Sequence, residues 1–560
     1  MFVLFAQLID LPLQGGPTRL PAPALARPAV PRAPSTPPDT PRSPGGARPP
    51  VPVPGAEAPG QTGAPVVRGS TVYSAEVIAR LLEGCREAGR SRREQLQACA
   101  DALTARYVAD GYVNSRVLTP DTPDGDVLEV IEGRISEIRV RSDDSDWRTR
   151  IQRQLQGLRG SILHLPTLER SLNLLRTLPG VKTLRSSLTR LGSDPSEAVV
   201  SVTVQASPAP WQGDISLRND GSNGSGEARA VLTLLKPDAL KRGDTLLLYN
   251  EVNGDDTPAL GSLITAFSYT YPLSDTLALT SSLGFTRRNL IELPAPLDGF
   301  STSQYQGVVQ LEWTPQPAAP VRWSFVAGAS ASRSNNYLND QVLPAALPSV
   351  FRSPQSGYLR LGFNASQTRP TMSWSSNVSL LQGLAALTPE DQRQEQAIAG
   401  ISPADARALS GYASAGWLFA PGWNVQLLAA GQVAFNPLTG PMQFTLGSDT
   451  GLRGLPGQLL SGDSGWLSSV ELSWTVWQNR RHALQLVPFI GMGGVSTQLK
   501  DIAPFRDTIG SGGILARWLV GDHWQMELGW IDQFQSDDNP GEWLDWALGQ
   551  GLYAQIRYRF

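Results

Sequence analysis

Trp423-Asn424-Val425-Gln426-Leu427 opens a stretch whose neighbouring residues alternate between apolar and polar character. The apolar or small odd positions continue through Ala429, Gly431, Val433 and Phe435. Successive side chains of a β-strand point to opposite faces. The alternation is longer than the mean globular strand of about five or six residues, and it fits the roughly 9–11 residues of a tilted strand that crosses a membrane. The stretch therefore predicts a long strand with one apolar face.

The same alternation recurs from Trp211 onwards, for example at Leu277–Phe285 and Trp524–Trp530. Clusters of Asp, Asn and Gly, such as Asn250–Asp256, separate these runs. A closed barrel places the apolar face in lipid and leaves no unpaired strand edge. We therefore predict a transmembrane antiparallel β-barrel over residues 207–560, with a soluble β-sandwich as the alternative.

The last residues of the chain alternate as well. Ile556, Tyr558 and Phe560 share one face, and Arg557 and Arg559 share the other. An aromatic final residue on such a strand is typical of the closing strand of an outer-membrane barrel, although soluble sheets also end in this way. With the preceding strands it favours the barrel, in which the arginines would face an aqueous lumen.

The composition argues against several classes of protein. Only 17% of the 560 residues are charged and the net charge is -3, which argues against a nucleic-acid binder that works through bulk charge. No stretch approaches the roughly 18 uninterrupted apolar residues of a membrane-spanning helix. No P-loop, zinc spacing or dinucleotide fingerprint occurs, so we predict neither a cofactor nor a metal site.

Residues 1–70 are predicted to be a signal remnant followed by a proline-rich tether. The stretch up to Val66 holds 17 of the 45 prolines. Proline fixes φ and removes a backbone donor, so this segment should be extended and without a core. Phe2–Gln7 resembles the tail of a secretory signal, and an ordinary hydrophobic N-terminus is an equal alternative.

Residues 71–206 mix helical and strand periodicity, which predicts two small α+β modules at 71–141 and 142–206. The predicted helices cover Ala75–Leu82, Gln95–Ala109 and Leu168–Leu178. Predicted strands of the first module are Val113–Val117, Asp126–Gly133 and Ile135–Val140, and those of the second are Leu184–Arg190 and Ala198–Gln205.

Cys85 and Cys99 flank a segment rich in Arg and Glu between two predicted helices. Two cysteines in a secreted chain usually pair, because the periplasm is oxidising. The alternative is a metal or redox pair, which lacks a neighbouring histidine and a C-x-x-C spacing. The sequence favours a disulfide.

Three stretches together resemble one family. They contain Gly111, Tyr112, Glu132 and Gly133 in the first module, Pro179 and Gly180 in the second, and Leu452, Arg453, Gly454, Gly462 and Asp463 late in the barrel. This combination resembles the outer-membrane transporters of two-partner secretion systems, the TpsB family that exports haemolysins and filamentous adhesins. The resemblance covers residues 74–560.

The resemblance implies two periplasmic POTRA modules ahead of a barrel of about 16 antiparallel strands. It implies that Arg453 lies in a loop that folds back into the barrel and ties that loop to the inner wall. A solvated arginine in an outer loop is the alternative. It further implies that the POTRA modules recognise an unfolded TpsA-type exoprotein, a haemolysin or adhesin, and that a monomeric barrel in the outer membrane exports it without nucleotide hydrolysis.

The chain departs from the family in two places. The family commonly has an Asp-x-Gly in a late strand whose carboxylate pairs with the loop arginine, and Gly491 stands in that place here. Arg453 therefore needs another acceptor, either a backbone carbonyl or another acidic side chain. A pore-plugging helix, frequent in the family, is not expected in residues 8–66 because of their proline content.

Other functions fit less well. A barrel-assembly factor usually carries more than two periplasmic modules, and a passive porin leaves the modules unexplained. A lipase-like barrel enzyme would need a serine, a histidine and an acid in register. Gly462-Asp463-Ser464-Gly465 imitates a nucleophile motif, but Trp466 follows it and the chain's 3 histidines lie in no familiar catalytic context. We predict a protein without enzymatic activity.

Overall fold

The computed structural model describes residues 65–83, 85, 91–120, 126–176, 180–191, 194–207, 210–241, 243–255, 259–292, 299–317, 319–369, 371–497, 499, 504–535 and 542–560. The predicted signal remnant, most of the tether and Pro179 lie outside this part of the chain. The described residues form two units, one within Ala33–Ala209 and one within Pro210–Phe560.

The N-terminal unit begins with a small three-stranded sheet covered by two helices. Its elements are β1 (Val66–Arg68), α1 (Ala75–Glu83), α2 (Arg92–Ala109), β2 (Arg116–Leu118) and β3 (Val127–Ile131). The strand order is β1-β3-β2. Ser91 and Glu94 form a reciprocal capping box that starts α2. Leu103, Tyr107 and Leu128 are fully buried between the helices and the sheet.

A second sheet follows in the same unit. Its elements are β4 (Arg134–Ser142), α3 (Ser145–Leu155), a short 3₁₀ helix (Gln156–Leu158), α4 (Leu165–Arg176), β5 (Val181–Leu191) and β6 (Asp194–Ala206). The strand order is β4-β6-β5, so β4 pairs in parallel with β6. The assignment of Ile135–Val140 to the first module is therefore wrong. Ile135, Ile138 and Val140 pack into the core beneath α3 and α4, and this burial draws the strand into the second sheet.

The C-terminal unit is a closed barrel. Its strands in chain order are β7 (Gln212–Arg218), β8 (Ala228–Pro237), β9 (Thr245–Gly254), β10 (Leu260–Pro272), β11 (Leu277–Asn289), β12 (Phe300–Trp313), β13 (Arg322–Leu338), β14 (Gln341–Val342), β15 (Gln355–Arg369), β16 (Met372–Gly383), β17 (Arg407–Ala420), β18 (Trp423–Ala434), β21 (Ser464–Gln478), β22 (His482–Thr497), β23 (Phe505–Val520), β24 (Trp524–Gln535) and β25 (Leu552–Arg559).

Neighbouring barrel strands are antiparallel, and β25 closes the ring by pairing with β7. Within the described ranges, sixteen strands form the wall and the two-residue β14 extends the ladder of β13. Two further strands, β19 (Phe444–Leu446) and β20 (Leu460–Gly462), pair only with each other. The remaining helices are α5 (Ser349–Arg352), α6 (Glu390–Ile398) and the 3₁₀ turns Ala385–Leu387, Gly440–Met442 and Glu542–Asp545. The closed ring of sixteen wall strands confirms the predicted barrel of about 16 strands.

The two faces of the wall differ in the way that the alternation predicts. In β12, Gln304 and Gln306 are buried, whereas Tyr305 and Val309 are 56% and 53% exposed. In β18, Gln432 is buried and Val433 is 59% exposed. Polar side chains therefore line the lumen and apolar side chains cover the outside, as lipid requires. No helix in the described ranges has the length and apolar character of a membrane span.

A loop folded into the barrel as the candidate functional site

The chain between β19 and β20, residues 447–459, turns back into the barrel; we call it the inner loop. Leu452 and Leu455 are fully buried, and Leu459 is nearly so. They belong to one apolar cluster with lumen-facing residues of the wall, among them Phe489 of β22 and Ile531 of β24. Burial of these leucines holds the inner loop against the late strands of the barrel.

The backbone of the inner loop is tightly turned. Leu452 N–H donates to Gly447 O at 3.0 Å, and Ser448 N–H donates to Pro456 O at 2.9 Å. Gly454 has a φ of 83°, and a Cβ on it would lie 2.6 Å from a methyl carbon of Ile531. Only glycine fits here without strain. The tight turn therefore explains why glycine follows Arg453 in the motif.

Arg453 is the polar centre of the inner loop. Its Nε lies 2.7 Å from Glu471 Oε1 in β21, and its Nη1 lies 2.6 Å from Glu527 Oε2 in β24. The guanidinium also faces the ring of Tyr553 in β25, 5.6 Å from its centroid. Arginine is suited to this role because its planar fork of donors holds two carboxylates at fixed directions.

A second arginine completes the network. Arg517 of β23 donates from Nε to Glu527 Oε1 at 2.5 Å, and its Nη2 lies 3.6 Å from Glu471 Oε2. Two guanidinium groups thus face two carboxylates, with the Glu527 side chain only 1% exposed. Buried charges are tolerated when they are paired in this way. The network links one residue of the inner loop to β21, β23 and β24.

The structure shows which groups pair with Arg453 in place of the aspartate that Gly491 replaces. A Cβ at Gly491 would lie 3.1 Å from Leu452 Cδ2 and 3.0 Å from Ser469 Cβ, so this position faces the inner loop but is filled by Leu452. Glu471 and Glu527 supply the carboxylates instead. Sequence reasoning did not assign Glu527 and Arg517 to the site. The available signal was a charged residue on the lumen face of an otherwise alternating strand.

Gly462 and Asp463 lie where the chain leaves β20. Asp463 Oδ1 accepts hydrogen bonds from Leu438 N–H at 3.2 Å and Gln443 Nε2 at 3.1 Å. The neighbouring Ser464 hydroxyl accepts from Ala434 N–H at 3.0 Å. These contacts hold the chain between β18 and β19. The described residues contain no cluster of three or more His, Cys, Asp or Glu able to hold a metal ion.

The predicted residues of the first module divide between two places. Glu132 accepts from Thr71 N–H at 2.6 Å, Val72 N–H at 2.9 Å and Tyr107 Oη at 3.1 Å, and so ties the start of the module to α2. Burial of Tyr107, with the charge of Glu132 beside it, raises the pKa of the phenol. Glu132 is therefore a structural residue within this module.

Gly111, Tyr112 and Gly133 instead lie at the junction of the two modules. Gly111 O accepts from Leu165 N–H at 2.9 Å, and Gly133 O accepts from Leu163 N–H at 2.8 Å. The ring of Tyr112 lies 4.8 Å from that of His164. These contacts fix the second module against the first.

Gly180, with a φ of 84°, directly precedes β5 and accepts from Ser207 N–H at 3.0 Å. Cys85 and Cys99 are joined by a disulfide that links the chain just after α1 to α2. At the C-terminus, Ile556 and Tyr558 pair with Leu217 and Ile215 of β7, and Phe560 exchanges two backbone hydrogen bonds with Gly213.

Two family models match the chain. Residues 196–511 match the haemolysin secretion/activation protein family ShlB/FhaC/HecB, and residues 66–133 match the POTRA domain of ShlB type. The first match alone covers more than half of the chain. The chain belongs to the ShlB/FhaC/HecB family. This confirms the resemblance read from the sequence, and with it an outer-membrane barrel that follows a POTRA-type arm.

Individual proteins agree with the family assignment. The chain is 24% identical over 415 residues to the outer membrane transporter CdiB of Escherichia coli, and 25% identical over 399 residues to that of Dickeya dadantii. These matches cover 71% and 69% of this chain. The chain spans 64% of the length of the Escherichia coli relative and 67% of the Dickeya dadantii relative. The solved structure of CdiB from Escherichia coli has the same fold, with a TM-score of 0.65 at 17% identity. The superposition covers 93% of this chain and 93% of the CdiB chain.

Proposed function

We propose that this ShlB/FhaC/HecB-family barrel is an outer-membrane transporter that exports an unfolded partner exoprotein through its lumen. The observation that carries the proposal is the inner loop, held inside a polar-lined barrel by Arg453, Glu471 and Glu527. The strands that flank the inner loop pair with each other and not with the wall, and side-chain packing and ion pairs hold the loop in place. Such an element can leave without unfolding the wall. The lumen then becomes a path for an extended chain.

The N-terminal arm supplies a means of capturing that chain. In the second sheet, β4 and β5 are edge strands because β6 lies between them. Seven of the eleven residues of β5 are exposed, including every residue of the run Arg185–Arg190. An exposed edge can pair with an extended segment of another protein by strand addition. We propose that the exoprotein is recognised in this way, in the periplasm.

The driving force would come from the cargo. No nucleotide-binding motif occurs in the sequence, and we propose no enzymatic step. Folding of the exoprotein outside the cell would draw the chain outward. We further propose that the exoprotein is of the TpsA type, a haemolysin or adhesin, that the apolar outer face contacts membrane lipid, and that the barrel works as a monomer.

The test is complementation of a deletion strain. Deletion should remove one large exoprotein from the medium, and the wild-type gene should restore it. Arg453→Ala should still assemble a barrel but should fail to restore secretion. We propose that transport needs an inner loop that leaves and returns to one position, and the variant loses the ion pairs that define this position. Arg287→Ala is the matched control, since Arg287 is 46% exposed and pairs with Asp340 outside the lumen network. Secretion at wild-type level by Arg453→Ala, or loss of many unrelated barrels on deletion, would contradict the proposal.

A further inference from the structure

Among the described strands of the barrel wall, the shortest ladder is the seam where β25 meets β7. Five residue pairs join these strands, from Gln555↔Arg218 to Arg559↔Asp214. Seven pairs join β24 to β25, and seven join β7 to β8. The ladder is flanked by two backbone hydrogen bonds between Phe560 and Gly213. Side chains add the Arg557–Asp214 salt bridge at 2.7 Å and a hydrogen bond from Ala554 N–H to Asn219 Oδ1 at 2.9 Å. A short ladder has few hydrogen bonds that resist separation of the two strands. A segment that contacts the wall on both sides of the seam therefore stabilises the closed barrel.

The inner loop contacts the wall on both sides of this seam. On the side of the last strands, Arg453 pairs with Glu527 of β24, and Gln533 Nε2 donates to Gly454 O at 3.3 Å. On the side of the first strands, Asp449 Oδ1 lies 2.6 Å from Arg229 Nη2 of β8. Gly457 N–H donates to Gly221 O, at the start of the β7–β8 loop, at 2.7 Å.

The contact on the side of the first strands is a built ion-pair site. The Arg229 side chain is 3% exposed, and its Nη2 also lies 2.5 Å from Glu251 Oε2 of β9. Asn253 Nδ2 donates to Glu251 Oε1 at 3.3 Å. Asp449 is itself held in place, because its N–H donates to Gly457 O at 3.0 Å. Arg229 thus presents one fixed cationic group to one carboxylate of the inner loop.

We propose that Arg229 and Asp449 are positioning residues that form a second anchor of the inner loop, so that the loop braces the β25–β7 seam from within. The inference concerns the regulation of the transport site and rests on the proposed function. Arg453 and Asp449 hold opposite sides of the seam, and loss of either removes the ion pair that anchors the inner loop to that side. Release of the loop and loosening of the seam are then coupled.

The position of the inner loop can be measured without transport. Ser448, beside Asp449, is 7% exposed, so a cysteine placed there by Ser448→Cys should react slowly with a membrane-impermeant maleimide in purified barrels. The native cysteines are joined in a disulfide and do not compete. Adding Asp449→Asn should raise the labelling rate by about tenfold or more, the size of effect expected for loss of a charge-assisted hydrogen bond.

Two further variants separate anchoring from general loosening. Asp449→Glu retains the carboxylate and should return the rate close to that of the parent. Arg288→Met removes another buried lumen arginine, whose hydrogen bonds go to Ser225 and Asn223 outside the inner loop, and should leave the rate unchanged. The same barrels, heated in detergent, should lose their compact gel mobility at a lower temperature with Asp449→Asn than with Asp449→Glu.

An unchanged labelling rate in Asp449→Asn overturns the second anchor. An equal rise in the labelling rate of Arg288→Met overturns it as well, because the rise would then reflect a general loss of barrel stability. If Asp449→Asn does not assemble, Arg229→Lys replaces it. Lysine keeps the charge but cannot hold Glu251 and Asp449 together in the same geometry, so an intermediate rate is expected, and a parent-like rate overturns the proposal. Labelling that follows these expectations while Arg453→Ala still secretes would contradict the transport proposal alone.

Discussion

Glu527→Gln should favour release of the inner loop from the lumen, while the backbone ladder between β23 and β24 keeps the wall closed there. The native carboxylate is 1% exposed and lies between two arginines, 2.6 Å from Arg453 Nη1 and 2.5 Å from Arg517 Nε. Glutamine has nearly the same shape, so packing is conserved. The change leaves two guanidinium groups with Glu471 as the remaining carboxylate of the network.

The size of the effect follows from this geometry. Removing one partner of a buried ion pair costs about 3–5 kcal/mol. Arg453 is 20% exposed and keeps its contact with Glu471, so the lower value, about 3 kcal/mol, is appropriate. A loss of this size raises the population of the released loop relative to the bound loop by a factor of about 150.

Single-channel recording in planar lipid bilayers measures that population, because a lumen without the inner loop conducts more ions. Glu527→Gln should spend a much larger fraction of time in the high-conductance state than the wild type. Glu312→Gln is the control, since Glu312 of β12 accepts a hydrogen bond from the neutral Ser324 hydroxyl at 2.6 Å. An open fraction in Glu527→Gln equal to that of the wild type would refute the reasoning, as would an equal increase in Glu312→Gln.

Two other changes test the local structure. Gly454→Ala should lower the temperature at which the folded barrel unfolds in detergent, since a φ of 83° and a contact with Ile531 both disfavour a side chain; an unchanged temperature would contradict the tight turn. A thiol assay on non-reduced protein should detect no reactive cysteine, and Cys99→Ser should lower the unfolding free energy of the first module by about 3 kcal/mol, as followed by denaturant titration. Two reactive thiols in the wild type would rule out the disulfide.

Much of the barrel could be predicted from the sequence because strand alternation is a local property. The positions of Tyr305 outside and Gln306 inside follow from neighbouring residues alone. The membership of a strand in one sheet or another is not local. β4 carries an apolar face that either module could have buried, and only its pairing with β6 shows which core received it.

The candidate site was predictable in part for the same reason. The loop motif around Arg453 and Gly454 is contiguous, so its residues can be read directly from the chain. Its partners cannot, since Glu471 is 18 residues away and Glu527 is 74 residues away along the sequence. Their approach depends on the register of four strands and on the closure of the barrel. The pairing of Asp449 with Arg229, on the far side of the seam, depends on closure as well.

The sequence by itself predicted the alternating strands, the loop motif around Arg453, a favoured pairing of the two cysteines and the family. Each of these features depends on residues that are close together in the chain or that form a contiguous motif. Only the tertiary structure decided which carboxylates receive Arg453 and that the inner loop touches both sides of the seam. The physical reason is that buried charges are stable only beside partners, and in a closed barrel those partners come from strands that are distant in sequence.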